Sequence, residues 1–242
     1  MYLDHRETIA WVDAVAGWLG SGERRVDLFF FPQFPSLADV AQRVKETPLG
    51  FGGQNMAPVE RGAFTGEVSV HTLVQLGCNY VELGHSERRT LYNENDEDVR
   101  KKARLALEHG LIPVVCIGEA AEQIEEAASV VKSQVRTILA GQPADRVSRI
   151  ILAYEPRWAI GQDAPAPLDH IRATHNEIRS AVAETAGSEV AEAMRIIYGG
   201  SVDLKSGADI LALPDVDGLF IGRAALNPQN FIEFIRIGES AR

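Results

Sequence analysis

The sequence predicts an α/β protein built on a parallel sheet, organised as a single domain over residues 1–242. Two observations predict it. Short apolar runs alternate with amphipathic stretches along the whole chain, the pattern of right-handed β-α-β units. Several of those runs are continuous in Val, Ile, Leu and Phe, as strands covered on both faces should be. At this length the pattern fits a closed (β/α)8 barrel or an open doubly wound sheet. Seven strands and about eight helices can be counted, and the helix without a strand before it is the first one. The expected fold is therefore a (β/α)8 barrel whose first β-strand is absent from the chain.

Taken in order, the first helix spans about residues 4–19. Asp4 with Glu7 three positions on makes a capping box, Ile9, Val12, Ala16 and Leu19 form a stripe, and Gly20-Ser21-Gly22 ends it. The expected strands are Val26–Phe31, Leu49–Gly53, Tyr80–Leu83, Ile112–Ile117, Ile150–Tyr154, Arg195–Tyr198 and Gly218–Ile221. Helices are expected near 36–46, 69–77, 95–109, 119–140, 167–186, 203–212 and 227–237. Val99, Ala103, Ala106 and Leu107 stripe one of them, and Ile124, Ala128, Val131, Val135 and Ile138 another. The acidic run Glu94–Asp98 suits a helix N-terminus, where the macrodipole favours negative charge. Trp11 and Trp18 read as packing residues of the first helix, Cys78 and Cys116 as buried apolar residues, and His170 and His175 as surface residues.

Lys+Arg 24 against Asp+Glu 34 gives a net charge of -10, which argues against nucleic acid or an anionic membrane as partner. No apolar run approaches the roughly 18 residues of a membrane span, and the N-terminus has no signal-peptide pattern. Two cysteines make neither a disulfide framework nor a zinc site, and no metal-ligand spacing is seen. A cytoplasmic protein is expected.

In a parallel barrel the chemistry sits at the carboxyl ends of the strands. Those ends read Gln54-Asn55, Gly84-His85-Ser86-Glu87-Arg88-Arg89, Gly118-Glu119, Glu155-Pro156, Gly199-Gly200-Ser201 and Gly222-Arg223. One imidazole, several carboxylates and three glycine turns on one rim point to proton transfer on an anionic molecule. His85 directly after a strand, with Glu155 at another strand end, suits an acid/base pair. The plainer alternatives are a structural hydrogen bond for His85 and an arginine pair for Glu155. The turns at Gly199–Ser201 and Gly222 each lie between strand and helix, where backbone N–H groups hold phosphate without a lysine.

These motifs stand with others: Gly62-Ala63-Phe64-Thr65-Gly66-Glu67, Cys116-Ile117-Gly118-Glu119, Ala153-Tyr154-Glu155-Pro156-Arg157-Trp158-Ala159-Ile160-Gly161, Tyr198-Gly199-Gly200-Ser201 and Asp217-Gly218. Together and in this order the chain resembles the triosephosphate isomerase family over essentially its whole length. The resemblance implies a TIM barrel and a cofactor-free aldose–ketose isomerase acting on a small phosphorylated sugar, dihydroxyacetone phosphate to glyceraldehyde 3-phosphate. This family is itself a standard illustration of a glutamate base paired with a neutral histidine electrophile. Carried over, Glu155 is the base, His85 the electrophile and Glu87 a carboxylate supporting His85. Gly161, Ser201, Gly222 and Arg223 would stand at the phosphate, and Pro156-Arg157-Trp158 would hinge a lid. Thr65 would reach into a neighbouring subunit, implying a homodimer.

Three departures from the family pattern are visible. The Asn-x-Lys-Met segment of its first strand is missing, and Met1 falls where that methionine would stand. Met1 is accordingly read as an internal methionine of a longer reading frame, which the upstream DNA would decide, and weak or no turnover is expected of residues 1–242 alone. The lid continues Gly161-Gln162-Asp163-Ala164-Pro165 instead of a Gly-x-Gly-Lys-like segment, and Gly222-Arg223 replaces two glycines. With Val81-Glu82-Leu83, these changes resemble a bacterial subgroup acting on erythrulose phosphates, an alternative substrate class. A catalytically impaired barrel that only binds phosphosugars is the other alternative.

Overall fold

The computed structural model describes residues 1–241. One sheet holds seven parallel strands in the sequential order β1 to β7: Leu28–Phe30, Leu49–Gly53, Tyr80–Leu83, Ile112–Ile117, Ile151–Tyr154, Arg195–Tyr198 and Gly218–Leu219. A doubly wound sheet reverses its strand order at a switch point. This one never does, so each crossover steps the chain one strand around a barrel.

Alternate strand residues face two directions. Tyr80, Val114, Cys116, Ile151, Ala153 and Ile197 fill the interior with Phe29, Phe31 and Phe220 packed against them. The opposite faces join the helices in the larger cluster. Phe29 stacks on Tyr80 with ring centres 4.7 Å apart, and Phe31 meets Phe220 edge-on at 6.1 Å. That last contact spans the interval between β1 and β7, which are not hydrogen-bonded to each other, and an ion pair from Asp27, just before β1, reaches past β7 to Arg195 on β6. β1 and β7 are both shorter than expected. Each carries a ladder on one side only, so the backbone beyond Phe30 and beyond Leu219 has no partner to hold it extended.

Ten α-helices are found among the described residues: α1 His5–Leu19, α2 Leu37–Val44, α3 Val70–Gln75, α4 Ser86–Tyr92, α5 Asp96–Glu108, α6 Ala127–Leu139, α7 Leu168–Ala186, α8 Ser188–Ala193, α9 Gly207–Leu211 and α10 Pro228–Ser240. The Asp4–Glu7 capping box is present on α1 in both directions, at 2.9 and 2.8 Å. α5 starts at the acidic run, with Asn95 as its cap accepting from the Asp98 N–H. Two helices exceed the expected eight. α4 lies inside a polar motif with no apolar stripe, and α8 is split from α7 by Gly187 at φ +94°. The expected helix 119–140 begins as a 3-10 turn at Ala121–Glu126, leaving Ile124 exposed.

Trp11 is buried between Phe30 and Phe231, and its indole N–H donates to the Ala225 carbonyl at 2.8 Å. This packs α1 against α10 and closes the ring of helices. Both cysteines are buried and unpaired with each other. His175 is not a surface residue: it is fully buried on α7, 2.9 Å from the Asp215 carbonyl, and burial pushes its pKa down to about 4. Among the described residues no helix is long and apolar enough to cross a membrane.

Candidate active site

The carboxyl ends of the strands open on a cavity of about 1300 Å³ that extends into the interval between β1 and β7. Glu82, His85, Glu87, Glu155, Ser201 and Arg223 all line it. Among the described residues, five arginines line it and no lysine does.

Two turns bring the acid/base pair together. Gly84 adopts φ +70°, and a Cβ there would collide with Val99, Arg89 and the Cys116 carbonyl. Arg89 locks this turn by donating to the Gly84 and Cys116 carbonyls at 2.7 and 3.0 Å and to Asp96 at 2.6 Å. His85 then caps α4. Its Nδ1 accepts the Glu87 backbone N–H at 3.2 Å, so a neutral ring must carry its proton on Nε2. On the facing strand, Gly118 lets the Glu155 backbone approach so closely that a Cβ would lie 2.0 Å from the Glu155 carbonyl oxygen. Glu155 is 5% exposed, and its Oε1 lies 3.5 Å from His85 Nε2. Its Oε2 is buried without a hydrogen-bond partner among the described residues.

The charges in this pocket are coupled. Burial raises the Glu155 pKa above the usual carboxylate range, opposed by His85 and by hydrogen bonds from the Cys116 thiol and the Ser86 N–H. Burial also works against a charged His85, but the carboxylates of Glu155, Glu82, Glu87 and Glu94 outweigh it and raise the imidazole pKa. In the substrate-free pocket a proton is thus contested among several groups.

Glu87 contributes to His85 through its backbone. Its carboxylate is 70% exposed and 3.9 Å from Nδ1. Glu82, by contrast, sits inside the cavity on β3, and burial lifts its pKa to about 7, opposed by His85. Because this lies above the value in an unfolded chain, the folded protein retains the Glu82 proton between about pH 4.5 and 7, and the cost of ionising it accumulates as pH rises through that window. Glu82→Gln should therefore gain stability over the parent at pH 8, by on the order of a few kcal/mol, with the gain fading towards pH 5. Thermal melts at the two pH values would measure this.

The segment expected to form the lid is pinned at both ends. At its base, Trp158 Nε1 donates to Glu119 Oε1 at 2.6 Å and the Arg157 N–H donates to the Glu119 carbonyl at 3.0 Å. Glu119 is fully buried and also accepts from the Tyr154 hydroxyl at 3.1 Å, with His170 Nε2 3.3 Å away. Burial opposes its charge, but these hydrogen bonds prevail and hold its carboxyl below the usual range. His170 is therefore part of this cluster and not a free surface residue. At the far end the Ala166 N–H donates to the Tyr198 hydroxyl at 3.0 Å. Between them Gly161, at φ +77°, Gln162, Asp163 and Ala164 are exposed. Pro156 precedes the 3-10 turn Arg157–Ala159.

The glycine turns lie across the cavity. Ser201 is a non-glycine residue at φ +48°, and its Oγ is buried without a partner among the described residues. Strain and an unsatisfied hydroxyl at one residue mark a position shaped for a ligand. Gly222 also lines the cavity. Arg223 is turned towards the lid: its Nη2 donates to the Gln162 carbonyl at 3.1 Å. Thr65 is exposed on the loop between β2 and α3, away from the cavity lining.

A buried network escaped the sequence reading. Lys102, on α5, donates to Asn55 Oδ1 at 2.9 Å and pairs with Glu94, which also faces Arg88 Nε at 3.2 Å. It fixes Asn55 at the end of β2. A lysine in mid-helix reads as a solvated residue, but Lys102 stands three after Val99 and four before Ala106, on the apolar stripe itself, and that spacing is the signal a sequence reading could have used.

The family model described as triosephosphate isomerase matches residues 1–238. A triosephosphate isomerase of Chloroflexus aurantiacus is 46% identical over 84% of this chain and 82% of its own length. A probable triosephosphate isomerase 2 of Listeria monocytogenes is 39% identical over 98% of this chain and 93% of that protein. A triosephosphate isomerase of Symbiobacterium thermophilum is 44% identical over 92% and 88%.

Proposed function

The chain belongs to the triosephosphate isomerase family, and on that premise we propose that it interconverts dihydroxyacetone phosphate and glyceraldehyde 3-phosphate by proton transfer between His85, Glu155 and the substrate. The observation that carries this reading is the 3.5 Å approach of His85 Nε2 to Glu155 Oε1 across one cavity. A substrate carbon seated at that junction meets a carboxylate on one side and an N–H donor on the other.

The Glu155 carboxylate takes the proton from the carbon next to the carbonyl. The electron pair moves into the carbon–carbon double bond of an enediolate, and the developing charge falls on the carbonyl oxygen. His85 Nε2–H, directed into the cavity by the acceptor role of Nδ1, stabilises that oxygen. His85 passes its Nε2 proton to that oxygen and takes the proton of the adjacent hydroxyl in exchange, and Glu155 returns the carbon-bound proton to the former carbonyl carbon, so that the new carbonyl forms at the neighbouring position. A neutral imidazole suits this step because its pKa is closer to that of an enediol.

We assign the phosphate to the backbone N–H groups of Gly161, Ser201 and Gly222, supported by the strained Ser201 and its buried, unpartnered hydroxyl. Arg223 sits at the same end, bonded to the lid backbone, and adds positive charge there. The lid between Trp158 and Ala166 would close over the phosphate and exclude water, which protects the enediolate from eliminating phosphate. The hinge is Pro156, Arg157 and Trp158. No cofactor enters this chemistry. The same reading makes the protein a cytoplasmic homodimer joined through the Thr65 loop.

The test is a coupled isomerisation assay on the purified protein. Dihydroxyacetone phosphate should give a higher kcat/KM than either erythrulose phosphate. A reversed order would replace the triose by a tetrulose in the same mechanism. Binding of phosphosugar without turnover of any of them would overturn the isomerase reading.

A further inference from the structure

Away from the catalytic cavity, Glu60, His71 and His109 converge on the protein surface. They come from three places: the loop after β2, the first turn of α3 and the residue that ends α5. None of them lines the cavity. Their spacing, eleven and thirty-eight positions apart (71 − 60 and 109 − 71), resembles no short metal motif, so the site cannot be read from the sequence.

We propose that these three residues bind a divalent transition-metal ion of the zinc class. The Glu60 carboxylate offers one oxygen to each ring: Oε2 lies 3.5 Å from His71 Nε2, and Oε1 lies 3.4 Å from His109 Nε2. Ligand atoms on a tetrahedral zinc with bonds of about 2.0–2.1 Å are separated by roughly 3.3–3.4 Å. The observed separations are within a tenth or two of an ångström of that edge. All three ligand atoms lie within 4.8 Å of one another, so a small turn of the exposed Glu60 side chain brings them to one centre. The two imidazoles stand nearly perpendicular, at 79° with ring centres 4.7 Å apart, and both point Nε2 at the carboxylate.

The donor set selects the ion. Two imidazole nitrogens and one carboxylate suit zinc, cobalt or nickel, whereas calcium and magnesium prefer all-oxygen shells. Three protein ligands leave a tetrahedral position for water. The histidines are held by regular structure. Ser69 caps α3 by accepting the Thr72 N–H, and His109 is fixed as the α5 cap, followed by Gly110 at φ +85°. The Glu60 carboxylate already faces both ring nitrogens, with His109 Nε2 within hydrogen-bond distance. A bound ion would fasten the loop carrying Glu60 and Thr65 to α3 and α5.

The experiment is isothermal titration of the metal-free full chain with zinc chloride, paralleled by the visible spectrum of the cobalt(II) form. One ion per chain is expected. His71→Ala, His109→Ala and Glu60→Gln each remove a direct ligand, so each should weaken binding by at least the roughly hundredfold that marks the upper range for losing an outer-shell partner and dim the cobalt bands, while leaving isomerase activity and the far-UV circular dichroism unchanged. His85→Ala should bind zinc like the parent. Absence of saturable uptake would overturn the proposal, as would uptake untouched by His71→Ala and His109→Ala or uptake lost with His85→Ala. If either alanine variant fails to fold, the Asn variant at that position serves as the same test.

Discussion

Glu155→Gln lowers kcat by about three to four orders of magnitude, the upper part of the range for removing a positioned general base. The amide preserves shape but cannot accept the carbon-bound proton. Its fold should survive, because burial already makes the ionised carboxylate costly and Oε2 has no partner to lose. Glu155→Asp tests position separately from basicity. Drawing the carboxylate back by one methylene costs about a hundredfold, with the base still present. In the parent, the acidic limb of kcat/KM should lie above the ordinary carboxylate range, since burial raises Glu155 more than His85 lowers it. Steady-state assays across pH would check all three outcomes. A Gln variant within tenfold of the parent would remove Glu155 from the chemistry.

The largest stability effect is expected at Lys102. Its side chain is 5% exposed and its partner Glu94 is 3% exposed. Lys102→Met leaves Glu94 buried beside Arg88 alone and removes the donor to Asn55. Breaking a buried pair from one side costs about 3–5 kcal/mol, and the remaining Arg88 contact places this case near the lower end. For a chain of this size each kcal/mol moves Tm by roughly 2–4 °C, so a fall of about 6–12 °C should appear in thermal melts. Lys102→Met combined with Glu94→Gln should recover most of it. Equal instability in the double variant would mean that packing of the lysine stem, and not charge, dominates.

What could be read from sequence follows from how each feature is written into it. The central strands were legible because burial on both faces demands unbroken Val, Ile and Leu. The first helix was legible because its capping box is local, and α5 because its stripe and acidic start agree. The edges were less so: β1 and β7 owe their length to a neighbour's ladder, which no local pattern encodes. α4 was invisible because its residues serve a turn and a site, leaving no apolar period. His85 and Glu155 stood out by position, directly after buried strands. Lys102 did not, because a lysine reads as solvated even on an apolar stripe, and Glu119, His170 and His175 did not, since each acquires its partner from an element far along the chain. Glu119 accepts from Trp158 and Tyr154, thirty-nine and thirty-five positions away, and only folding brings such groups together. The two imidazoles near Glu60 belong to the same class of long-range acquaintance.

The packing of Trp11 against Phe231, with its N–H on the Ala225 carbonyl, makes the beginning and end of this chain mutual neighbours. Arg24 and Glu239 repeat the link, 3.6 Å apart. A ribosome releases these partners at opposite ends of synthesis, so α1 waits with an uncovered apolar flank until α10 emerges. Contacts of such separation are slow to form, and the half-made molecule exposes sticky surface in the interval. Native assembly therefore waits on α10, and a nascent chain halted short of residue 228 should remain protease-sensitive in α1.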